Sequence, residues 1–85
     1  MTYHLVLQAQ AQKELDRVAP KEKKRIEMAL DALEEDPFIG KKLSGEFQGI
    51  RSFRVWPYRI LYEIKKKELF VFVIRIAHWQ GAYKK

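Results

Sequence analysis

The residues of this sequence that are best suited to chemistry are arginines and a histidine in its second half. Arg54, Arg59 and Arg75 each lie within a run of β-forming residues, and His78 follows the last run. Guanidinium groups bind phosphate oxygens in a fixed, forked geometry, and an imidazole exchanges protons near neutral pH. One arginine alone is more simply explained as a solvated or paired surface residue, but the cluster indicates an anion-binding site.

The charge of the chain is unevenly distributed. The 85 residues carry a net charge of +6. Residues 1–40 contain six Lys or Arg and eight Asp or Glu, a net of −2, whereas residues 41–85 contain eleven and three, a net of +8. A basic half of this kind favours contact with a polyanion or an acidic partner. A basic surface that serves only solubility is the simpler alternative.

The sequence lacks the residues on which several common active sites depend. There is no Cys, and two His without a carboxylate constellation do not make a metal site. No glycine-rich phosphate loop or nucleophile elbow is present, so we expect neither a metal nor a small-molecule cofactor. No apolar run is long enough to span a membrane, and no charged leader precedes an apolar stretch. We therefore expect a cytoplasmic protein with no membrane contact.

Hydrophobic periodicity predicts one α+β domain over residues 1–85 with the order β-α-α-β-β-β. Asp36-Pro37 ends the second helix, because the residue before a proline disfavours helical backbone. Tight connections between the last three strands predict antiparallel pairing, with both N-terminal helices packed on one face of the antiparallel sheet. The predicted elements are a strand over residues 2–7, helices over 8–18 and 21–35, a loop over 37–49, and strands over 50–55, 58–64 and 69–76.

Strand alternation predicts which side chains share the face that the helices leave open. In the middle one of the three C-terminal strands, the more apolar set should face the helices, which leaves Arg59 outside. The same reasoning puts Arg54 outside on the preceding strand. On the last strand, Arg75 alternates with Val71 and Val73, and we place that set on the open face as well. All three arginines are therefore expected on one surface.

The C-terminal half carries a series of motifs in a distinctive order. They are Lys42-Leu43-Ser44-Gly45, the strand from Gly49 to Val55, the run Tyr58-Arg59-Ile60-Leu61-Tyr62-Glu63-Ile64, and the apolar strand from Val71 that leads to His78 and Tyr83. Together they resemble the second half of the RelE/ParE toxin superfamily over roughly residues 41–83. The strand–helix–helix half before them agrees in order and length. The Tyr-Arg-x-x-Tyr run is the most specific piece.

The resemblance implies the toxin of a type II toxin–antitoxin system, with a separate antitoxin protein as its partner. RelE-type members enter the ribosome and cleave the bound mRNA. The 2′-hydroxyl is the nucleophile, so the reaction needs no metal. It needs a base for the hydroxyl proton, cations for the growing charge on the phosphate, and an acid for the leaving 5′-oxygen.

The resemblance also assigns roles to individual residues. Arg59 matches the arginine that stabilises the scissile phosphate, and Arg54 matches a basic position on the preceding strand. Tyr83 matches the C-terminal aromatic that orients or protonates. His78 falls where several relatives carry His or a basic residue, and it could serve as acid or base. Further RNA contacts are expected from Arg51, Arg75, Trp79, Lys84 and Lys85.

The sequence departs from RelE at positions that matter for catalysis. Ser52 stands where RelE has a lysine, and Trp79 and Gln80 follow His78 where many members have arginines. The site should therefore be poorer in cations, and Arg75 is a candidate to compensate. Two other functions remain open: a ParE-like toxin that poisons gyrase, and an RNA- or protein-binding module without catalysis. The Tyr-Arg arginine and the terminal Tyr favour the ribonuclease, since ParE-type members usually lack both.

Overall fold

The chain folds into two helices packed against one mixed β-sheet. A computed structural model describes residues 2–79, and the first strand, both helices and the last three strands occur in the predicted order. The helices are α1 (Ala9–Asp16) and α2 (Pro20–Glu35), and the strands are β1 (His4–Leu7), β2 (Lys41–Lys42), β3 (Arg51–Val55), β4 (Tyr58–Lys65) and β5 (Phe70–His78). Short 3₁₀ turns at Pro37–Ile39 and Gly45–Phe47 flank β2, within the segment predicted as a loop.

The sheet has the order β1-β5-β4-β3-β2. Strands β3, β4 and β5 pair antiparallel as predicted, and the unpredicted β2 pairs antiparallel with β3, but β1 pairs with β5 in parallel. The helical hairpin explains the difference, because it returns the chain across the sheet before the antiparallel strands begin. The prediction of an antiparallel sheet is therefore right for the last three strands and wrong for β1, which occupies an edge.

The core lies between the helices and one face of the sheet. Ile26, Leu30 and Leu33 of α2 are buried at helical spacing, and Ala11 and Leu15 of α1 are buried in the same way. From the sheet, fully buried side chains come from β4 and β5 and include Ile60, Tyr62, Val71 and Val73. This confirms the inward set predicted for β4 and overturns the outward placement of Val71 and Val73.

A β-bulge explains why strict alternation of side chains fails on β5. Tyr62 pairs with Val73, but the next residue back, Leu61, pairs with Arg75, so Ile74 is an extra residue on β5. A bulge of this kind shifts every later side chain by one position. Val73 and Ile76 therefore both reach the core, although strict alternation would put them on opposite faces.

The carboxylate of Glu14 completes the hydrogen bonding of the bulge. Beyond Leu7, β1 has ended and α1 lies beside β5, so the N–H of Ile76 has no strand partner on that side. This N–H donates to Glu14 Oε1 at 2.7 Å, while Arg75 Nε and Nη2 approach Oε2 at 2.8 and 2.6 Å. Arg75 is thus fixed to α1 by a charge-assisted ion pair in which two of its nitrogens share one carboxylate oxygen.

The hydroxyl of Tyr62 anchors the segment that leads into β2. Tyr62 is fully buried; its Oη donates to the Pro37 carbonyl at 2.6 Å and accepts from the Gly40 N–H at 3.0 Å. A Cβ at Gly40 would lie 2.1 Å from that oxygen, so only glycine fits this approach. The Arg51 Nη1 donates to the Gly40 carbonyl at 2.9 Å. Gly40, the residue before Lys41, is therefore fixed by Tyr62 through its N–H and by Arg51 through its carbonyl.

We expect Tyr62→Phe to lower the free energy of unfolding by about 2 kcal/mol, because it leaves the buried Gly40 N–H and Pro37 carbonyl without their partner. The measurement is urea unfolding followed by circular dichroism. Tyr58→Phe is the matched control, since Tyr58 lies on the same strand and its hydroxyl has no hydrogen-bond partner among residues 2–79. Equal stability of the two variants would contradict the anchor.

We expect Glu14 to make the protein sensitive to acid. Burial favours the neutral carboxyl, but hydrogen bonds from Arg75 and the Ile76 N–H outweigh it, so the pKa of Glu14 lies below its usual value of 4.5. A carboxyl with a lowered pKa in the folded state stabilises the fold above its usual pKa, and this contribution disappears as the pH falls through the folded-state pKa. Glu14→Gln should therefore lower stability at neutral pH by about 1–2 kcal/mol.

The check is the pH dependence of thermal unfolding. Stability of the parent should fall as the pH drops below 4.5, and Glu14→Gln should show a shallower fall in that range. The exposed Glu35→Gln variant at the end of α2 is the control and should follow the parent. Parallel curves for the parent and Glu14→Gln would show that Glu14 does not contribute this dependence.

Candidate active site

The face of the sheet opposite the helices carries a cluster of cations. Arg54 on β3 and Arg59 on β4 are direct ladder partners, and their neighbours Phe53 and Ile60 pair toward the core. Alternation therefore places both guanidinium groups on the open face, as predicted. They line a concavity of about 370 Å³ together with Lys41, Ser52, Ile39, Leu43 and Phe53. The concavity formed by these seven residues is called the cationic pocket below.

The Arg54–Arg59 pair is costly to the sheet. Like charges directly opposite each other on neighbouring strands destabilise the pairing. Arg54 is exposed and Arg59 is half-buried, so the two groups are only partly screened by water. An anion between them would relieve the repulsion, and the forked geometry of guanidinium suits the oxygens of a phosphate.

Ser52 lies at the floor of the cationic pocket. It is 5% exposed, and its Oγ has no hydrogen-bond partner within residues 2–79. Buried polar groups are nearly always hydrogen-bonded. A bound oxyanion would satisfy the hydroxyl, since Ser52 shares the pocket with the two arginines.

Lys41 is the cation that the sequence analysis missed. It is the ladder partner of Ser52 and lines the same pocket. Opposite residues on an antiparallel ladder have Cα atoms about 5 Å apart. Lys41 therefore supplies positive charge beside the position where RelE has a lysine and this chain has Ser52. Two residues of β2 within a glycine-rich loop gave no strand pattern that would have revealed this pairing.

Two arginines predicted to contact RNA lie elsewhere. Arg51 pairs with Tyr62 on the core side of β3, and its guanidinium donates to the Gly40 carbonyl and lies 5.2 Å from the centroid of the Phe38 ring. Arg75 is bound to Glu14 at the edge of α1. The ladder pairs Arg75 with Leu61, on the strand face that carries Arg59, but its guanidinium turns to the Glu14 carboxylate, so Arg75 does not line the cationic pocket with Arg54 and Arg59.

The remaining predicted site residues come at or after the end of β5 in the sequence. His78 pairs with Tyr58, whose ring packs against the core, and the two rings meet edge-on with centroids 5.8 Å apart. By register His78 belongs to the helix side and is not brought into the cationic pocket. Trp79 is 45% exposed and stacks on Trp56. The predicted site residues Tyr83, Lys84 and Lys85 lie outside the described residues.

The comparison with known families decides the identity of the fold. The family model described as the ParE toxin of a type II toxin–antitoxin system matches residues 5–83. The chain is a member of the RelE/ParE superfamily of type II toxins. The match includes both helices and every described strand, apart from the first residue of β1. The family assignment therefore applies to the whole described fold.

Solved structures agree with the family match. The RelBE2 toxin–antitoxin complex of Mycobacterium tuberculosis contains a chain with 29% identity and a TM-score of 0.84, covering 92% of this toxin and 99% of that chain. A free arginine double mutant of Escherichia coli RelE has 24% identity and a TM-score of 0.81, covering 96% and 88%. The YoeB/ParE toxin of Agrobacterium tumefaciens has 19% identity and a TM-score of 0.77, covering 88% and 96%. No curated protein sequence matches this toxin with significance.

Two negative findings describe the rest of this toxin. Residues 2–79 hold no group of three or more His, Cys, Asp or Glu side chains placed to bind one metal ion. Neither of the helices formed by these residues is long and apolar enough to cross a membrane.

Proposed function

We propose that this toxin is a ribosome-dependent endoribonuclease that cleaves mRNA by attack of a 2′-hydroxyl on the adjacent phosphate. The observation that carries the proposal is the grouping of Lys41, Arg54 and Arg59 around the buried hydroxyl of Ser52. Membership in a toxin superfamily that includes RelE supports it. The cations suit a reaction whose transition state gathers negative charge on a phosphate.

Each side chain of the pocket has a distinct part in this reaction. Arg54 and Arg59 bind the non-bridging phosphate oxygens from neighbouring strands, so their mutual repulsion falls as the negative charge grows. Lys41 adds a third positive charge from β2. Ser52, whose hydroxyl has no hydrogen-bond partner in the described range, donates it to one phosphate oxygen. This arrangement stabilises the transition state more than the ground state.

Proton transfer needs groups beyond the cations. Tyr83 and His78 are the residues that the resemblance assigns to it. The pairing of His78 with Tyr58 sets that imidazole on the helix side of β5, away from the face of Arg59. We therefore propose Tyr83 as the principal proton donor or orienting group, with His78 in a supporting part. Both assignments are open to substitution experiments on the intact chain.

We propose an antitoxin as the protein partner. Related structures are toxin–antitoxin complexes, among them RelBE2 of Mycobacterium tuberculosis and intact RelBE of Escherichia coli. The basic second half of this chain, with a net charge of +8 over residues 41–85, suits an acidic or amphipathic segment. Such a segment would inhibit the toxin by covering the cationic pocket or by docking against the helical hairpin.

We expect Arg59→Ala to abolish growth arrest and mRNA cleavage while leaving the fold intact, because Arg59 contributes charge to the pocket and lies outside the core cluster. The loss should be at least about a hundredfold in cleavage rate. The measurement is primer extension on mRNA bound to purified ribosomes, with circular dichroism to check folding. Arg25→Ala, an exposed arginine on α2, is the matched control.

A folded Arg59→Ala protein that still cleaves mRNA would overturn the assigned role. A parent protein that arrests growth while protein synthesis continues would overturn the ribonuclease proposal itself. These two failures are separate, because the first concerns one side chain and the second concerns the target.

We expect Lys41→Ala to lower the cleavage rate about tenfold, since it removes one of three cations from the pocket. Lys41→Arg should retain most of the activity, because charge rather than shape is required at this position. Lys24→Ala on the exposed surface of α2 is the control. Single-strand RNA binding by the parent should also weaken with salt at a slope of about −2, and Lys41→Ala should reduce that slope by about 0.7. Unchanged cleavage and slope would exclude Lys41 from the site.

A ParE-like function is the second candidate, because the matching family model is the ParE toxin. The lysine of RelE is replaced here by Ser52, which would also fit a site without ribonuclease activity. A gyrase poison would inhibit DNA supercoiling in vitro and induce DNA damage signalling before translation slows. The ribonuclease would do the reverse, so one induction experiment separates them.

A further inference from the structure

The two tryptophans of the chain form a stacked pair at the tip of the β3–β4 hairpin. The Trp56 and Trp79 rings have centroids 5.8 Å apart and an interplanar angle of 19°. Trp56 lies in the turn between β3 and β4, and Trp79 lies one residue beyond β5. The Trp79 N–H donates to the Pro57 carbonyl at 2.8 Å, which ties the two segments together. The pair thus has a fixed place in the fold.

Both rings are unusually exposed for their size. Trp56 is 54% exposed and Trp79 is 45% exposed. Packing against the core does not account for them, since neither belongs to the core cluster or to the apolar side chains packed against it. Two large aromatic surfaces left in water are a recognised mark of a binding site.

The pair lies at the end of the β3–β4 ladder that carries Arg54 and Arg59. On β3, Arg54 faces outward, and Trp56 follows it by two residues in the turn to β4. On β5, Ala77 is the ladder partner of Arg59, and Trp79 follows it by two residues. The pair is therefore next to Arg54 and Arg59 at the same end of the sheet.

We propose that the Trp56–Trp79 pair is a stacking platform for an unpaired base of single-stranded RNA, next to the phosphate bound by Arg54 and Arg59. The proposal rests on the proposed function in that its ligand is RNA, and it adds a base-binding subsite that the phosphate chemistry does not require. Each indole offers a flat surface on which any base can stack. A nucleotide that places its phosphate on the arginines brings its own or a neighbouring base to the hairpin tip.

The charge around the platform favours RNA over a protein partner. Aromatic surfaces combined with cations that follow a phosphate backbone are the usual arrangement for binding single strands. Arg54 and Arg59 are within five residues of Trp56 along the hairpin, and Lys41 lines the same pocket. An apolar protein surface would instead leave these like charges desolvated side by side without a counter-charge, which is unfavourable.

Intrinsic fluorescence tests the platform directly, because the chain has only two Trp and both belong to the pair. The purified full chain is titrated with a short single-stranded RNA oligonucleotide of mixed sequence, in the absence of ribosomes. Stacking of a base on either indole should quench the emission. A matched strand of abasic ribose phosphates carries the same charge without bases. It should bind at least about tenfold more weakly and leave the emission unchanged.

Substitutions separate the platform from the cationic pocket. Trp56→Ala should lower RNA affinity about tenfold, measured by anisotropy of a labelled oligonucleotide, while Trp56→Phe keeps an aromatic surface and should stay within about threefold of the parent. Arg54→Ala should weaken the RNA and the abasic strand alike. Met28→Ala, an exposed apolar residue on α2, is the control for lost apolar surface and should bind as the parent does.

Several outcomes would overturn the platform. Equal affinity of the parent for RNA and for the abasic strand would show that bases are not bound. Unchanged RNA affinity in a folded Trp56→Ala protein would exclude the pair, even where Arg59→Ala still abolishes ribosomal cleavage and the proposed function stands. Loss of antitoxin binding in Trp56→Ala, without loss of RNA binding, would assign the surface to the protein partner instead. If RNA quenches the Trp emission of a protein that never cleaves mRNA, the base-stacking proposal stands and the ribonuclease proposal is rejected.

Discussion

The hydrogen bonds of one buried tyrosine hold the open face of this toxin in place. Tyr62 lies on the middle strand of the sheet, and its hydroxyl reaches across to the Pro37 carbonyl and the Gly40 N–H. These bonds fix the chain between the end of α2 and β2, a segment with little other regular structure. Lys41 follows Gly40 directly, so a contact in the core determines where a cation lies on the opposite side of the sheet. The absence of a side chain at Gly40 makes this approach possible.

The two faces of the sheet follow different physical rules. The helix side is stabilised by burial and by polar groups that are fully paired, as in the contact of Glu14 with Arg75 and Ile76. The open side carries two arginines opposite each other and a buried hydroxyl without a partner in the described part of the chain. Both features are unfavourable in general, and the proposed phosphate ligand would offset both. Such local costs are typical of functional sites that the rest of a fold supports.

The sequence predicted the elements well because their signals are local. Helical spacing of apolar residues, Pro20 and Pro37, and the tight turn at Trp56-Pro57 all act within a few residues of the chain. The outward positions of Arg54 and Arg59 were also predicted, since β3 and β4 pair without irregularity. The prediction failed for Val71 and Val73, because the extra residue in β5 reverses the alternation and cannot be read from composition.

Pairings between residues that are distant along the chain could not be predicted from local sequence patterns. The parallel position of β1 depends on how the helical hairpin returns across the sheet, and the pairing of Lys41 with Ser52 depends on Tyr62, more than twenty residues away along the chain. The hydrogen bond from the Arg51 guanidinium to the Gly40 carbonyl likewise joins residues that are distant along the chain. In each case the decisive contact joins residues that no local pattern connects.

The pairing of Lys41 with Ser52 shows how a site can keep its charge while its sequence motif changes. Opposite positions on an antiparallel ladder present their side chains to the same surface, about 5 Å apart. A lysine lost from β3 can therefore be replaced by one on β2 with little change in the potential at the phosphate. A long, flexible lysine side chain tolerates such a move better than a forked guanidinium, whose bidentate geometry depends on its origin. The resemblance assigns Arg54 to β3 and Arg59 to β4, and we propose that Lys41 supplies from β2 the charge that RelE has on β3.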